Sequence, residues 1–301
     1  MKTTGIRFGL LLGVALITCQ TVYTQNYRSN NYALNNANQL QIPDSVKNTY
    51  KSLKALIIVG DESCDRFVNG AERLAEFLTS LGVSVKELYP PYSTKDNVIK
   101  ASKNVNIFVY KGHGNTMGMI CLSDGLMSND AIAENIKLAP NALVMYNHVC
   151  TGAGSSAGDR QSITYNTARD RVFRNARPYL SNSAGAYYAN NYCLSDLEFF
   201  TKFLLEHKNM YDIHFENIIR YRINLEKVCR YDSGIVAGLS SSYSGKKRRI
   251  TTTINGKSKT ETLPPAKSYS VAFVAPSGYS FRDLIKDSQN PRSFLAKEPN
   301  N

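Results

Sequence analysis

Two short apolar runs constrain the fold of this chain most strongly, because each leads to a reactive side chain near a glycine. Residues 106–114 end in His113-Gly114, and residues 142–152 contain Cys150 two positions before their final glycine. Runs this short and this rich in β-branched and aromatic residues are typical of buried strands. Since strand ends in an α/β sheet open onto a crevice, the pattern predicts that His113 and Cys150 share one cleft.

The chain alternates between strand-like and helix-like segments from about residue 52, where we expect order to begin. Besides the two runs above, the pattern predicts strands at 55–60, 83–88 and 184–189, and helices at 66–81, 94–103, 128–138, 167–180 and 196–206. The first helix has apolar residues at helical spacing and is followed by a glycine that stops it. Strands that alternate with helices predict an α/β fold with a mainly parallel sheet and helices on both faces.

The C-terminal part follows a different pattern. Residues 249–263 form two threonine-rich runs around an Asn-Gly pair, which is a strong signal for a β-hairpin. Residues 270–275 have the composition of a last sheet strand, and residues 119–127 that of a small hairpin between the two reactive side chains. No internal repeat or linker divides the chain, so we expect one domain over residues 51–301.

A cysteine in such a position needs a partner to act as a nucleophile. The thiolate is the reactive form, and a free thiol is mostly protonated at neutral pH. His113 can be that partner, since Gly112 and Gly114 leave it unshielded and permit close backbone approach. A lone cysteine is usually a core residue, but the small polar residues at 151–159 leave room for a substrate beside Cys150.

This order of motifs resembles the caspase-like cysteine peptidases of clan CD, which include gingipain, clostripain, legumain and the caspases. The resemblance covers residues 54–276, and the 37-residue separation of His113 from Cys150 suits the family. It implies hydrolysis of polypeptides by a Cys150–His113 dyad, with the N–H groups of Gly114 and Cys150 as an oxyanion hole. It implies no organic cofactor. No metal site is expected, because a site at His148 and Cys150 would need more ligands at short spacing than the sequence has there. The caspase signature Gln-Ala-Cys-x-Gly is not met, since only Cys-x-Gly is present.

Three residues are candidates for binding the substrate side chain. His148 lies two positions before Cys150, which places both side chains on one side of a regular strand. Several of the resembled peptidases have an acidic residue there that holds a basic P1 side chain, so histidine departs from their pattern. Asp61 and Asp65 lie after the first strand and could hold a basic P1 side chain, or could belong to an exposed helix cap. The loop that contains Asp61 and Asp65 has more acidic than basic residues, which favours Arg or Lys at P1.

Two other functions fit parts of the sequence. Residues 154–158 match Gly-x-Ser-x-Gly, the nucleophile elbow of α/β-hydrolases, with Ser156 as the nucleophile. An elbow turns directly out of a strand, whereas this segment comes several residues later, and its serine would need His207 or His214. The other possibility is a binding module that keeps the caspase-like fold without turnover.

The N-terminal segment predicts export. Residues 1–24 have a charged start, an apolar stretch at 8–18 and a polar exit, as a signal peptide does. That stretch is too short to span a membrane and no later run is long enough, so no transmembrane segment is expected. Residues 25–50 are rich in Asn and predict a tail or pro-segment. We therefore expect a secreted or periplasmic protein, with lipid attachment at Cys19 as a minor alternative.

Charge and cysteine content limit the possible partners. Loss of residues 1–24 would remove two basic residues and lower the net charge from +12 to +10, which favours association with anionic surfaces. The basic residues are scattered and carry no nucleic-acid motif, so we expect no nucleic-acid binding. Five cysteines then remain, an odd number that leaves at least one thiol unpaired in an oxidising compartment. We expect Cys150 to be that thiol.

Overall fold

The computed structural model describes residues 44–60, 65–191, 196–221, 224–231, 235–243, 247–254 and 257–286. The helices are α1 Asp44–Tyr50, α2 Asp65–Ser80, α3 Lys95–Ala101, α4 Asn129–Asn135, α5 Tyr165–Leu180, α6 Asp196–Phe200, α7 Met210–Tyr221 and α8 Phe281–Leu284, with a π-helical segment at Thr201–Leu205 after α6. The strands are β1 Lys54–Val59, β2 Ser84–Leu88, β3 Ile107–Lys111, β4 Ile120–Leu122, β5 Gly125–Met127, β6 Ala142–Asn147, β7 Ala184–Asn190, β8 Asn224–Tyr231, β9 Ile235–Tyr243, β10 Arg248–Ile254, β11 Lys257–Leu263 and β12 Lys267–Pro276. Among these described helices, none is both long enough and apolar enough to cross a bilayer.

Eight of the strands form one sheet in the order β2-β1-β3-β6-β7-β12-β9-β8. Neighbours from β2 to β7 are parallel, whereas β12, β9 and β8 continue the sheet with antiparallel pairings. The predicted α/β fold with a mainly parallel sheet is therefore confirmed. β10 and β11 form a separate antiparallel hairpin, as the sequence predicts, and its Asn-Gly turn lies outside the described residues.

The sheet is buried on both faces because its central strands carry apolar side chains at successive positions. On one face, Ile107 and Val109 of β3 belong to a core shared with residues of α2, α6 and α7. On the other face, Phe108 and Tyr110 belong to a second core shared with residues of α3, α4 and α5. Two covered faces explain why this strand is a continuous apolar run in the sequence.

The folded region begins earlier than the sequence indicates, because tertiary contacts fix α1. Tyr50 is only 1% exposed. Its hydroxyl donates to the Leu204 carbonyl at 2.6 Å, and its ring centroid lies 5.1 Å from that of Phe281. Both partners lie far along the chain, so the polar local sequence around α1 gives no sign of them. The expected start of order near residue 52 is therefore too late.

Four elements of the second half were not predicted, namely α7, β8, β9 and α8. β9 lies between β12 and β8 in the main sheet, although its second half contains three consecutive serines at residues 240–242. Serine has little preference for strands, so pairing on both sides of β9 overrides the local composition.

Candidate active site

His113 and Cys150 lie at the carboxyl edge of the sheet, on segments that leave two neighbouring parallel strands. β3 ends at Lys111 and β6 ends at Asn147, and these two residues are partners in the register of the pair. His113 follows two residues after the end of β3, and Cys150 three residues after the end of β6. The structure therefore brings the two predicted residues to the same part of the sheet edge.

Two hydrogen bonds hold these segments together beyond the strand ends. The N–H of Gly112 donates to the Asn147 carbonyl at 3.2 Å. Farther out, the hydroxyl of Thr151 donates to the Asn115 carbonyl at 3.3 Å. The histidine and the cysteine of the predicted dyad lie between these two bonds, and both are partly exposed. The chain thus presents the two reactive side chains from adjacent, tied segments.

Gly114 is a point of very close approach between the two segments. A Cβ on Gly114 would lie 2.6 Å from Cγ1 of Val149 and 3.3 Å from the carbonyl oxygen of Cys150. A side chain would push the segments apart, so the packing itself requires glycine here. This contact is a constraint in addition to an oxyanion role, and only the structure shows it.

The expected oxyanion hole uses the backbone N–H groups of Gly114 and Cys150. Gly114 faces Ile120 in an isolated antiparallel bridge, and the residues on either side of Gly114 make the hydrogen bonds of that bridge. In the described part of the chain, neither the Gly114 N–H nor the Cys150 N–H donates a hydrogen bond to the protein. Two available donors beside a nucleophile are what an oxyanion hole requires.

The turn that carries Cys150 has an unusual backbone. His148 and Thr151 have φ angles of 62° and 65°, a region that costs non-glycine residues on the order of 1–3 kcal/mol each. Hydrogen bonds maintain it: the His148 N–H donates to Asn190 at 3.1 Å, and the Thr151 N–H donates to Ser155 at 3.0 Å. Backbone strain of this kind is concentrated at functional sites.

His148 lies beyond the last residue of β6, so the regular strand geometry behind the expectation about its direction does not extend to it. β6 ends at Asn147, and the two-residue period that placed His148 on the side of Cys150 no longer applies beyond that point. The ring centroid of His148 lies 5.3 Å from that of Phe67, and the ring centroid of His113 lies 5.9 Å from it. The two histidine rings therefore both contact one buried phenylalanine.

Phe67 is a site residue that the sequence did not single out. Its position in an apolar helical pattern marked it only as a core side chain. It lies in the first turn of α2, which follows β1, and β1 is the neighbour of β3. Asp65 is the first residue of α2, and Asp61 lies outside the described residues. The start of α2 is thus beside both histidines, in the region where a substrate pocket was expected.

A buried ion pair joins the strand of His113 to α6. Nζ of Lys111, the last residue of β3, contacts the carboxylate of Asp196, and both side chains are 8% exposed. Gly70 of α2 makes room for the lysine, since a Cβ there would lie 3.0 Å from Nζ. In the sequence, this ion pair is indicated only by a lysine at the end of an apolar strand, and that lysine does not identify its partner.

Ser156 lies in a position that does not suit a nucleophile elbow. β6 ends at Asn147, and Ser156 follows in a buried loop and not at the strand end. Its hydroxyl accepts the Gly158 N–H at 3.1 Å, and its own N–H donates to the Asp159 carboxylate at 2.8 Å. These contacts are typical of a serine that stabilises its own loop.

The two histidines downstream of Ser156 pack against the core on the α2 face. The ring centroid of His214 lies 4.9 Å from that of Phe273, and burial lowers the pKa of His214 to about 3. The ring of His207 stacks on Phe281 at 5.2 Å. The serine loop packs against the other core, on the α5 face. The sheet therefore lies between Ser156 and both histidines.

Comparison with known proteins adds no family assignment. No protein-family model matches the sequence, and no curated protein matches it with significant similarity. Over the described ranges, no group of three or more His, Cys, Asp or Glu side chains could hold a metal ion. A functional conclusion therefore depends on the order of the motifs and the geometry of the site.

Proposed function

We propose that this protein is a secreted cysteine endopeptidase of the caspase-like type, with Cys150 as the nucleophile and His113 as its proton-transfer partner. The observation that carries the proposal is the pairing of β3 with β6, because it brings the segments of both residues into contact. The N–H groups of Gly114 and Cys150, which donate to no described residue, support it, since acyl transfer needs donors for an oxyanion. Ligands of open α/β sheets bind at this same carboxyl edge.

The reaction uses each residue in a defined step. The Cys150 thiolate attacks the peptide carbonyl carbon, and the N–H groups of Gly114 and Cys150 bind the resulting oxyanion. His113 gives a proton to the leaving amine as the C–N bond breaks, which leaves a thioester on Cys150. Water then attacks the thioester while His113 accepts a proton from it. The C–S bond then breaks, which releases the carboxylic acid product and restores the Cys150 thiolate.

Iodoacetamide is expected to modify Cys150 faster than Cys121, by about tenfold or more at neutral pH, and to stop peptide hydrolysis. A histidine partner increases the thiolate fraction, and the thiolate is the form that is alkylated. Cys121 is the internal control because both cysteines are partly exposed. Peptide mass spectrometry over a time course gives both rates. In His113→Ala the rate at Cys150 should fall towards the rate at Cys121.

A serine-directed fluorophosphonate separates the proposed function from the alternatives in the same samples. We expect it to label no residue and to leave peptide hydrolysis intact. Labelling of Ser156 with loss of an esterase activity would establish the α/β-hydrolase mechanism instead. Equal, slow alkylation of both cysteines with no peptide cleaved would identify a binding module without turnover.

A preference for Arg or Lys at P1 belongs to the same proposal. A carboxylate that faces a cation in a partly desolvated pocket makes a charge-assisted hydrogen bond. Asp65 is the first residue of α2, and Asp61 precedes it by four positions in the sequence. We expect kcat/KM to be about tenfold or more higher for P1-Arg than for matched P1-Asn and P1-Asp substrates. Asp61→Asn and Asp65→Asn should reduce this preference, whereas Asp96→Asn on α3 should not.

The pH dependence of that preference distinguishes the two sources of specificity. Histidine is the side chain that acquires charge between about pH 8 and pH 5.5, and the His148 ring contacts Phe67, as the His113 ring does. If P1-Asp or P1-Asn is preferred, and increasingly so as the pH falls, His148 and not the aspartates determines the specificity.

Export completes the proposal, although residues 1–24 lie outside the described residues. A signal peptide would deliver the enzyme to a secreted or periplasmic location. The net charge of +10 after its removal would favour polypeptide substrates or surfaces of negative charge.

A further inference from the structure

Four buried tyrosines lie together on the α5 face of the sheet. We refer to Tyr110 of β3, Tyr146 of β6, Tyr187 of β7 and Tyr179 of α5 as the tyrosine cluster, and none is more than 1% exposed. Tyr146 is central, with its ring centroid 5.7 Å from that of Tyr110, 5.4 Å from that of Tyr187 and 5.8 Å from that of Tyr179. The cluster thus connects the two strands that lead to the candidate site.

The hydroxyl of Tyr110 bonds to the backbone of His113. It lies 2.7 Å from the His113 carbonyl oxygen and 2.6 Å from the Cys121 carbonyl oxygen, and it accepts the Cys121 N–H at 3.1 Å. One buried hydroxyl therefore joins the end of β3, the segment of His113 and the β4–β5 hairpin. The hydroxyl is one of two donors at the His113 carbonyl oxygen, which also accepts the Cys121 N–H at 3.1 Å.

The hydroxyl of Tyr187 makes an equivalent contact on the cysteine side. It donates to the carbonyl of Gly152 at 3.0 Å, in the turn that follows Cys150. The hydroxyls of Tyr146 and Tyr179 instead bond to each other at 2.6 Å. Burial raises the pKa of the tyrosines at 146, 179 and 187, so these hydroxyls remain protonated. The hydroxyls of Tyr110 and Tyr187 thus bond to the segments of the candidate site, whereas those of Tyr146 and Tyr179 bond to each other.

We propose that Tyr110 and Tyr187 are positioning residues, whose hydroxyls fix the backbone of His113 and the turn of Cys150 relative to each other. The inference rests on the proposed function only for its effect on turnover; the fixing of the backbone stands independently. Removal of either hydroxyl takes one hydrogen bond from a carbonyl of these segments and so loosens the segment that carries it. A displacement of about 1 Å between reacting groups costs a reaction roughly 10²-fold in rate.

Removal of single hydroxyls tests this inference, with Tyr146→Phe as the matched control from the same cluster. Hydrogen exchange of the intact protein, read by mass spectrometry, should become faster at residues 112–116 in Tyr110→Phe and at 150–154 in Tyr187→Phe. The control should leave exchange at both segments unchanged. On a peptide substrate, kcat should fall by about 10- to 100-fold in the two test variants with KM within about twofold, and should be kept in the control.

Each outcome decides a separate point. Unchanged exchange in Tyr110→Phe and Tyr187→Phe overturns the inference, whatever the activity. Faster exchange with unchanged kcat overturns the role in positioning for the reaction. Equal losses of kcat in the control and the test variants show a general effect on stability and overturn it as well. If exchange is faster in Tyr110→Phe and Tyr187→Phe but the wild-type protein cleaves no peptide, the fixing of the backbone is supported and the proposed function is rejected.

Discussion

Cys150→Ala and His113→Ala are each expected to reduce peptide hydrolysis by at least about 10³-fold, while the melting temperature stays within about 2 °C of that of the wild type. Cys150 forms the acyl-enzyme, and His113 supplies the proton that the leaving amine needs. Both side chains are partly exposed at the sheet edge, so their truncation leaves the two cores intact. Steady-state cleavage of a peptide substrate and thermal unfolding give the two measurements.

The double variant and two control variants make this prediction specific. Residues that act as one unit lose activity non-additively, so Cys150→Ala/His113→Ala should be little worse than either single variant. Cys121→Ala and His207→Ala remove the same kinds of side chain elsewhere and should keep wild-type turnover. Full activity in Cys150→Ala would exclude the proposed mechanism.

Lys111→Met is expected to lower the free energy of unfolding by about 3–5 kcal/mol. The substitution leaves the Asp196 carboxylate buried without its cation, because both side chains are only 8% exposed. An uncompensated buried charge is costly, whereas the intact pair contributes little compared with apolar residues of similar size. Lys111→Met/Asp196→Leu should therefore recover most of the loss. Urea unfolding of the single and double variants measures both effects.

An exposed ion pair provides the control for this prediction. Lys47 lies 3.6 Å from Asp44 in α1, where the two side chains are 41% and 93% exposed. Solvent screens such a pair, so Lys47→Met should change the free energy of unfolding by less than about 1 kcal/mol. Equal costs for Lys47→Met and Lys111→Met, or no recovery in the double variant, would show that burial of the Lys111 charge is not the cause.

The proximity of the two reactive residues is the part of the site that the sequence predicts. β3 and β6 are buried on both faces, so each is visible as an apolar run without long-range information. Parallel strands in α/β sheets have their carboxyl ends at one edge, which brings His113 and Cys150 to the same side. The sequence also predicts Gly114 as a site residue, because it belongs to the same His-Gly motif as His113.

The remaining features of the site depend on contacts between residues far apart in the sequence. The left-handed backbone of His148 results from the turn after β6, and a two-residue strand period cannot indicate it. Phe67 reaches the histidines because β1 pairs with β3. Lys111 contacts Asp196 through the packing of α6. Local patterns identify such side chains as apolar or charged and do not identify their partners.

The most direct measurement is cleavage of a mixed peptide library by the purified mature protein, with the products read by mass spectrometry. We expect the wild-type protein to cut internal peptide bonds at a restricted set of P1 residues. The same library should remain intact with Cys150→Ala and with iodoacetamide-treated wild-type protein, since both lack the nucleophile. An intact library with untreated wild-type protein, or the same products from Cys150→Ala, would contradict the assignment of this site as a cysteine peptidase.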